Sequence, residues 1–175
     1  NLNYPVVVKA QVQVGGRGKA GGIKLATNND ELITYTNEIL GMDIKGHTVE
    51  KILIEEASDI KEEYYLSFTL DRSEKKYLMM LSAKGGMDIE AVAEENPDDL
   101  TMIHIDPSKE LDEAVLIEAI TNSKLNLDYE SDLVAIITRL FKLFISGDCD
   151  LVEVNPLAIT SSGVMALDSK VSLDM

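Results

Sequence analysis

The first clear pattern in the chain is a strict alternation of apolar and polar residues over positions 4–14. One face of such a segment would carry Val6, Val8, Ala10, Val12 and Val14, and the other Val7, Lys9, Gln11 and Gln13. A period of two is typical of a strand, and this strand has one polar face. A glycine-rich run over 15–22 follows, and apolar residues within 23–26 predict a second strand.

Helical and strand patterns interleave along the rest of the chain. The first half predicts a helix that Asn29 or Asp30 caps, that runs to about Leu40 and that Gly41 ends. It also predicts a strand over 51–56 and a hairpin of 64–70 with 77–82. The second half predicts helices over 88–95, 108–121 and 128–145, a strand over 101–105, and strands over 151–154 and 164–167 joined by a turn at 161–163. This mixture favours an α+β fold with mixed or antiparallel sheets. We place a subdomain boundary between Glu56 and Asp59.

Charge and composition narrow the possible functions. The 175 residues include 31 Asp or Glu against 16 Lys or Arg, a net charge of −15, which disfavours non-specific binding to nucleic acid or to an anionic membrane. No apolar run approaches the roughly 20 residues that a membrane-spanning helix needs. The single cysteine, Cys149, excludes an intrachain disulfide and is typical of a reducing compartment such as the cytoplasm.

The first 29 residues are different, because they contain no acid and four bases. Within them, the run 15–22 has five glycines together with Arg17 and Lys19. Accessible backbone N–H groups beside cations are typical of a loop that covers phosphates, and Lys9 stands just upstream. The spacing matches G-x-G-x-x-G, but a strand follows where a Rossmann fingerprint needs a helix. The P-loop pattern fails as well, because Gln13 stands in place of its first Gly and Ala20 in place of its Ser or Thr. A flexible surface hairpin, with Lys9 extending to solvent, is the alternative interpretation.

Two further segments place polar side chains at strand ends. Glu153 and Asn155 point the same way on a predicted strand, and a turn at 161–163 would bring Asp168 opposite Asn155. Hard oxygen ligands on adjacent strands are typical of a Mg²⁺ site that phosphates and water complete. The strand over 51–56 is followed by an acidic loop. Such a loop can present backbone groups to the edge of a nucleotide base and a carboxylate to a ribose. A capped strand end and solvated surface acids are the simpler alternatives.

Taken together, these segments resemble the ATP-grasp region of succinyl-CoA synthetase β subunits. The resemblance is carried by collinear motifs over nearly the whole chain: Val7-Val8-Lys9, Gln11-Val12, the run 15–22, residues 55–60, Asp71-Arg72-Ser73, residues 85–90 (GGMDIE) and residues 153–157 (EVNPL). It implies an ATP-grasp fold with a lid-like subdomain at 1–57 and a core subdomain at 58–175. It also implies that the C-terminal CoA-ligase domain of that family is absent from this truncated chain.

The resemblance further implies a role for each matching residue. Lys9 would contact the nucleotide phosphates, Gly16, Arg17 and Gly18 would cover them, Glu55 and Ser58 would line the adenine hinge, and Glu63 would hold the ribose. Asn155 and Asp168 would bind Mg²⁺, and Glu153 would act as the catalytic residue near the phosphohistidine of a partner α subunit. Neither His47 nor His104 matches that histidine.

The function that the resemblance implies is ATP-dependent formation of succinyl-CoA in the tricarboxylic acid cycle, with ADP and phosphate as products. GTP is a possible replacement for ATP, and the α subunit is the expected partner in a heterodimer or heterotetramer. Succinate and CoA would bind mainly outside these residues. Three alternatives remain open: a sibling ligase that uses malate or citrate, a nucleotide-binding module without catalysis, and an interaction scaffold that binds no nucleotide.

Overall fold

The chain divides into two compact units, Asn1–Ser58 and Asp59–Met175, called here the first and the second unit. The computed structural model describes residues 3–174. The division falls within the 56–59 stretch at which the sequence pattern changes. Each unit has its own sheet and its own apolar core. No helix among the described residues is both long and apolar enough to cross a membrane.

The first unit is a three-stranded sheet covered by one helix. It contains β1 (Val6–Gln11), β2 (Ile23–Ala26), α1 (Asn29–Ile39), β3 (Asp43–Ile44), β4 (His47–Thr48) and β5 (Lys51–Glu56). The sheet is antiparallel in the order β2–β1–β5, and α1 packs against β1 and β2. The alternation predicted for β1 is confirmed, since Val8 and Ala10 are fully buried with Ile39 in the core. Lys9 therefore lies on the sheet face turned away from that core.

The start of α1 differs slightly from the prediction, whereas its end agrees. Asn28 is the N-cap and accepts a hydrogen bond from the backbone N–H of Glu31 at 3.0 Å, so the cap lies before Asn29 and Asp30. Gly41 follows the helix at a φ of +84°, a conformation that favours glycine, and this confirms it as the helix stop. The short β3–β4 hairpin was not predicted, because two-residue strands are too short to show a period.

The second unit is a larger antiparallel sheet with its two longest helices packed against it. It contains β6 (Ile60–Asp71), β7 (Lys76–Ser82), α2 (Ile89–Glu95), β8 (Thr101–Ile105), α3 (Glu113–Asn122), α4 (Glu130–Ser146), β9 (Cys149–Thr160), β10 (Gly163–Ala166) and β11 (Ser169–Leu173). The strand order is β10–β9–β6–β7–β8, and β11 also pairs with β9. Val152 and Val154 of β9 are buried in the core with Phe68 and Phe144. Glu153 between them therefore points from the opposite face of the sheet.

Two element boundaries in the second unit correct the sequence prediction. The helix predicted from 108 begins only at Glu113, because Asp112 caps it by accepting a hydrogen bond from Ala114 N at 2.9 Å. The strand predicted to end at 154 continues to Thr160, and only its second half pairs with β10, so the predicted pair of 151–154 with 164–167 is wrong. Residues 151–154 pair instead with β6 and with β11, which was not predicted. The α+β fold with antiparallel sheets is nevertheless confirmed.

Candidate nucleotide and magnesium site

Lys9, in the middle of β1, is held by an acidic partner in the first unit. The residue is only 8% exposed, and its Nζ forms an ion pair with the Glu55 carboxylate on the neighbouring strand β5. Val7 is the direct cross-strand partner of Glu55, so Lys9 approaches the carboxylate along the same face of the sheet. The structure thus pairs Lys9, which the family resemblance assigns to the nucleotide phosphates, with Glu55, which it assigns to the adenine hinge. A cation held in this way is preorganised for an anionic ligand.

The glycine-rich loop of the first unit folds back onto β1. Ala10 N donates a hydrogen bond to Gly22 O at 2.7 Å, and Gly22 N donates to Arg17 O at 2.8 Å. Gly16 has a φ of +84°, which a residue with a Cβ rarely adopts. The Arg17 guanidinium donates to Ala10 O at 2.8 Å, and so it is directed towards β1. That Gly16, Arg17 and Gly18 cover phosphates stays a prediction.

The remaining nucleotide-binding candidates fall on either side of the boundary between the units. Ser58 is half-buried and follows β5 at the end of the first unit, whereas Glu63 is exposed on β6 in the second. The Glu63 carbonyl accepts a hydrogen bond from Gly85 N at 3.0 Å. The adenine and ribose roles of Ser58 and Glu63 stay predictions.

The structure places Asn155 and Asp168 opposite each other, as the sequence predicted. Asn155 N donates to Asp168 O at 3.1 Å, at the junction between β10 and β11. Their side chains offer a carboxamide oxygen and a carboxylate, which fit the preference of Mg²⁺ for hard oxygen ligands. Within residues 3–174, no group of three or more His, Cys, Asp or Glu side chains could hold a metal ion. A cation here would therefore complete its coordination shell with phosphate oxygens and water, as Mg²⁺ commonly does.

Glu153 is a half-buried carboxyl beside this pair. Burial raises the pKa of Glu153 above its ordinary value, and the negative charges of Glu90 and Asp168 add to the rise. The Lys170 ammonium, directly across on β11, and a hydrogen bond with Asn155 oppose it. A carboxyl with a raised pKa, next to other polar groups on the sheet face opposite the apolar core, is typical of functional sites.

Two residues that the sequence analysis missed lie on the same sheet face as Glu153. Ser67 of β6 is its direct cross-strand partner and is fully buried. Burial raises the pKa of the Tyr65 phenol to about 12, the charges of Glu153 and Glu90 contribute, and the Ser67 hydroxyl opposes the rise. A serine within the apolar run of β6 was the available signal, because alternation places it opposite the core.

The comparison with protein families identifies this architecture. A sequence model of the ATP-grasp domain matches residues 1–159. The match covers most of the 175 residues, including the whole first unit and most of the second. The chain belongs to the ATP-grasp domain family.

Two solved structures of ATP citrate lyases are similar to this structure. The structure is similar to ATP citrate lyase from Methanothrix soehngenii, solved with citrate and coenzyme A, with 27% identity and a TM-score of 0.73 over 97% of this chain and 38% of that one. ATP citrate lyase of Methanosaeta concilii shares 25% identity and a TM-score of 0.68 over 97% of this chain and 37% of its own. This chain thus spans little more than a third of the length of these relatives.

A third solved structure shares the fold at lower identity. It is the dinucleotide-forming acetyl-coenzyme A synthetase 1 of Ca. Korarchaeum cryptofilum, solved with coenzyme A and Ca-AMPCP. The identity is 19% and the TM-score 0.74, over 99% of this chain and 78% of that one. At this identity, the likeness shows a shared fold.

Proposed function

We propose that this chain is the nucleotide- and magnesium-binding part of the β subunit of a succinate–CoA ligase. The complete enzyme converts succinate, CoA and ATP to succinyl-CoA, ADP and phosphate. The observation that carries the proposal is the arrangement on β9 and its partner strands. There, a carboxyl with a raised pKa, Glu153, lies beside the hard oxygen donors Asn155 and Asp168. This combination fits the handling of a nucleotide phosphate next to a second reacting group.

The roles that we assign to the residues are those that the family resemblance implies. Lys9, already oriented by Glu55, neutralises the nucleotide phosphates, and the loop with Gly16, Arg17 and Gly18 covers them. Asn155 and Asp168 hold Mg²⁺, which when bound neutralises phosphate oxygens and favours in-line transfer. Glu55 and Ser58 contact the adenine, and Glu63 contacts the ribose.

Glu153 is the residue that we assign to the transfer step. The γ-phosphoryl group leaves ADP and forms a bond to an imidazole nitrogen of a histidine on the α subunit. A carboxylate beside that imidazole orients the ring and stabilises the positive charge that develops on it. The phosphohistidine then phosphorylates the carboxylate of succinate, and the CoA thiol displaces phosphate from the acyl phosphate.

Citrate in place of succinate is the second candidate. It is favoured by one observation, the 27% identity with the ATP citrate lyase that was solved with citrate and coenzyme A. The nucleotide half of the reaction is the same for both acids, so the residues above keep their roles.

Two measurements test the proposal. Calorimetric titrations with MgATP, MgGTP, MgADP and Mg²⁺ alone should show saturable binding of a magnesium nucleotide. ADP release by the assembled enzyme that contains this chain, with CoA and either succinate, citrate or malate, then identifies the acid. Absence of nucleotide binding by the assembled enzyme would exclude every ligase, and binding without turnover on any acid would favour a non-catalytic module. Turnover with citrate or malate alone would replace succinate.

A further inference from the structure

The glycine pair at residues 85–86 follows β7, and the proposed function assigns no role to it. Gly85 lies against the backbone of β6, where it donates a hydrogen bond to Glu63 O at 3.0 Å. A Cβ at Gly85 would approach Tyr64 O to 2.4 Å and Tyr64 N to 2.5 Å, so no larger residue fits there. Gly85 therefore anchors the following residues directly beside Glu63.

Gly86 lies between two of the candidate site residues. Its N–H donates to Asn155 Oδ1 at 2.7 Å. A Cβ at Gly86 would lie 2.8 Å from Glu63 Oε2, so the Glu63 carboxylate stands directly over this glycine. The φ of +70° is a second reason for glycine at this position.

Together with Gly86, the backbone carbonyl of Met87 determines the orientation of the Asn155 carboxamide. Asn155 Nδ2 donates to Met87 O at 2.9 Å, while Oδ1 accepts from Gly86 N. The reversed orientation would place the NH₂ group against an N–H donor and the oxygen against a carbonyl. The backbone of Gly86 and Met87 therefore selects one orientation and leaves the second lone pair of Oδ1 for a cation.

We propose that Gly85, Gly86 and Met87 form a positioning element that holds the Asn155 carboxamide in its cation-binding orientation and sets the Glu63 carboxylate beside it. The inference rests on the proposed function, in which Asn155 binds Mg²⁺ and Glu63 binds the ribose. It adds that these two contacts are coupled, since both depend on the space and the hydrogen bond that Gly86 provides.

The substitution Gly86→Ala tests this coupling, and Gly163→Ala is its matched control. Gly163 also has a positive φ, +104°, but a Cβ there would meet nothing within 4 Å. Calorimetry measures the affinity for ADP with and without Mg²⁺, and for 2′,3′-dideoxy-ADP with Mg²⁺. Mg²⁺ raises the affinity of the wild type for ADP by some factor, and in Gly86→Ala we expect this factor to be about 10- to 100-fold smaller. That is the range found when groups that orient metal ligands are removed. It should also lose the preference for ADP over the dideoxy nucleotide.

Gly163→Ala should keep both properties, even if its melting temperature falls as much as that of Gly86→Ala. Equal behaviour of the two variants would overturn the inference. A wild-type protein that binds no ADP would instead refute the proposed function, and the inference with it. A wild-type protein that binds MgADP, with Gly86→Ala unchanged, would remove only the inference.

Asn155→Asp provides a second test that does not depend on how Gly86→Ala folds. It retains an oxygen for the cation and adds a negative charge, so charge alone predicts tighter binding of Mg²⁺. The positioning element predicts weaker Mg²⁺-dependent binding, because a carboxylate oxygen would face the Met87 carbonyl in place of the NH₂ donor. Binding as tight as in the wild type, or tighter, would overturn the inference.

Discussion

Lys9 shows how one buried side chain is held in place by its neighbours. It is almost fully buried on a sheet face that also carries Glu55, and the two form an ion pair. The Glu55 side chain is 38% exposed, so it can remain hydrated when a phosphate competes for the ammonium. The alternative reading of Lys9, as a lysine that simply extends to solvent, does not agree with its burial.

We expect Lys9→Met to weaken MgADP binding by about 10- to 150-fold, since a charge-assisted contact contributes roughly 1.5–3 kcal/mol. The methionine keeps the packing of the stem, and the partly exposed Glu55 can be solvated, so the melting temperature should change little. Calorimetric titration and melting curves measure both effects. Lys24→Met on β2 is the control, because Lys24 pairs with Glu38 and should affect binding only slightly. Equal affinities in the two variants would exclude Lys9 from the site.

Glu153 leads to a prediction about pH. Its pKa in the folded state is raised above the ordinary value of 4.5, so the folded protein binds this proton more tightly than the unfolded chain does. The stability from this group is complete below about pH 4.5 and is lost as the pH rises through the folded-state pKa. Glu153→Gln should therefore be more stable than the wild type near neutral pH, and the difference should vanish in acid.

Urea unfolding of both proteins between pH 4 and pH 8 measures this difference. Glu118→Gln, at an exposed position on α3, is the control and should show no comparable trend. In the assembled enzyme, Glu153→Gln should lower turnover by on the order of 10⁴-fold, the loss typical when a carboxylate that orients a catalytic imidazole is replaced by its amide. A variant less stable than the wild type at neutral pH would contradict the assigned burial of the charge.

At the scale of elements, α4 packs its apolar face against the sheet of the second unit, including β9. Phe144 of α4 is 2% exposed and packs against Phe68 and Tyr77, with ring centroids 6.1 Å and 5.3 Å away. Its neighbour Leu143 is 46% exposed, because successive helix residues point in different directions. This helix supports the strand on which Glu153 and Asn155 lie.

We expect Phe144→Ala to lower the free energy of unfolding by about 3–5 kcal/mol, through lost burial and the cavity that remains. Leu143→Ala, on the exposed side of the same turn, should cost less than about 1 kcal/mol. Urea unfolding followed by circular dichroism compares the two variants. Similar losses in both would show that α4 does not bury the face that the structure assigns to it.

At the scale of the whole molecule, the two units have separate cores. Ile44 belongs to the core of the first unit and is 1% exposed, whereas Leu133 belongs to the core of the second and is fully buried. Separate cores allow one part of a chain to open without the other.

We therefore expect Ile44→Ala to reduce the protection of amides in β1 and β5 by about 2–4 kcal/mol while leaving β6 and β9 unchanged. Leu133→Ala should have the opposite effect. Native-state hydrogen exchange with peptide resolution measures both variants. Equal loss of protection in the two units, in either variant, would mean that the chain opens as one cooperative body.

The elements that were predicted well are those with a local signal. The strands at Lys51–Glu56 and Thr101–Ile105 have the predicted bounds, and α4 lies within one or two residues of its prediction. Their patterns arise from the period of the backbone itself, so neighbouring residues are sufficient to reveal them. The start of α3 was misplaced because an apolar pattern does not identify which acidic residue caps the helix.

By itself, the sequence determined the α+β class, the longer elements, the family resemblance and the register that brings Asn155 opposite Asp168. Only the tertiary structure decided the ion pair of Lys9 with Glu55 and the contact of Asn155 with Gly86, 69 residues away in the chain. It also decided that Tyr65 and Ser67 lie close to Glu153 on the same face of the sheet. The physical reason is that a period of two specifies the face on which a side chain lies, whereas its neighbours on that face depend on which distant strands pair.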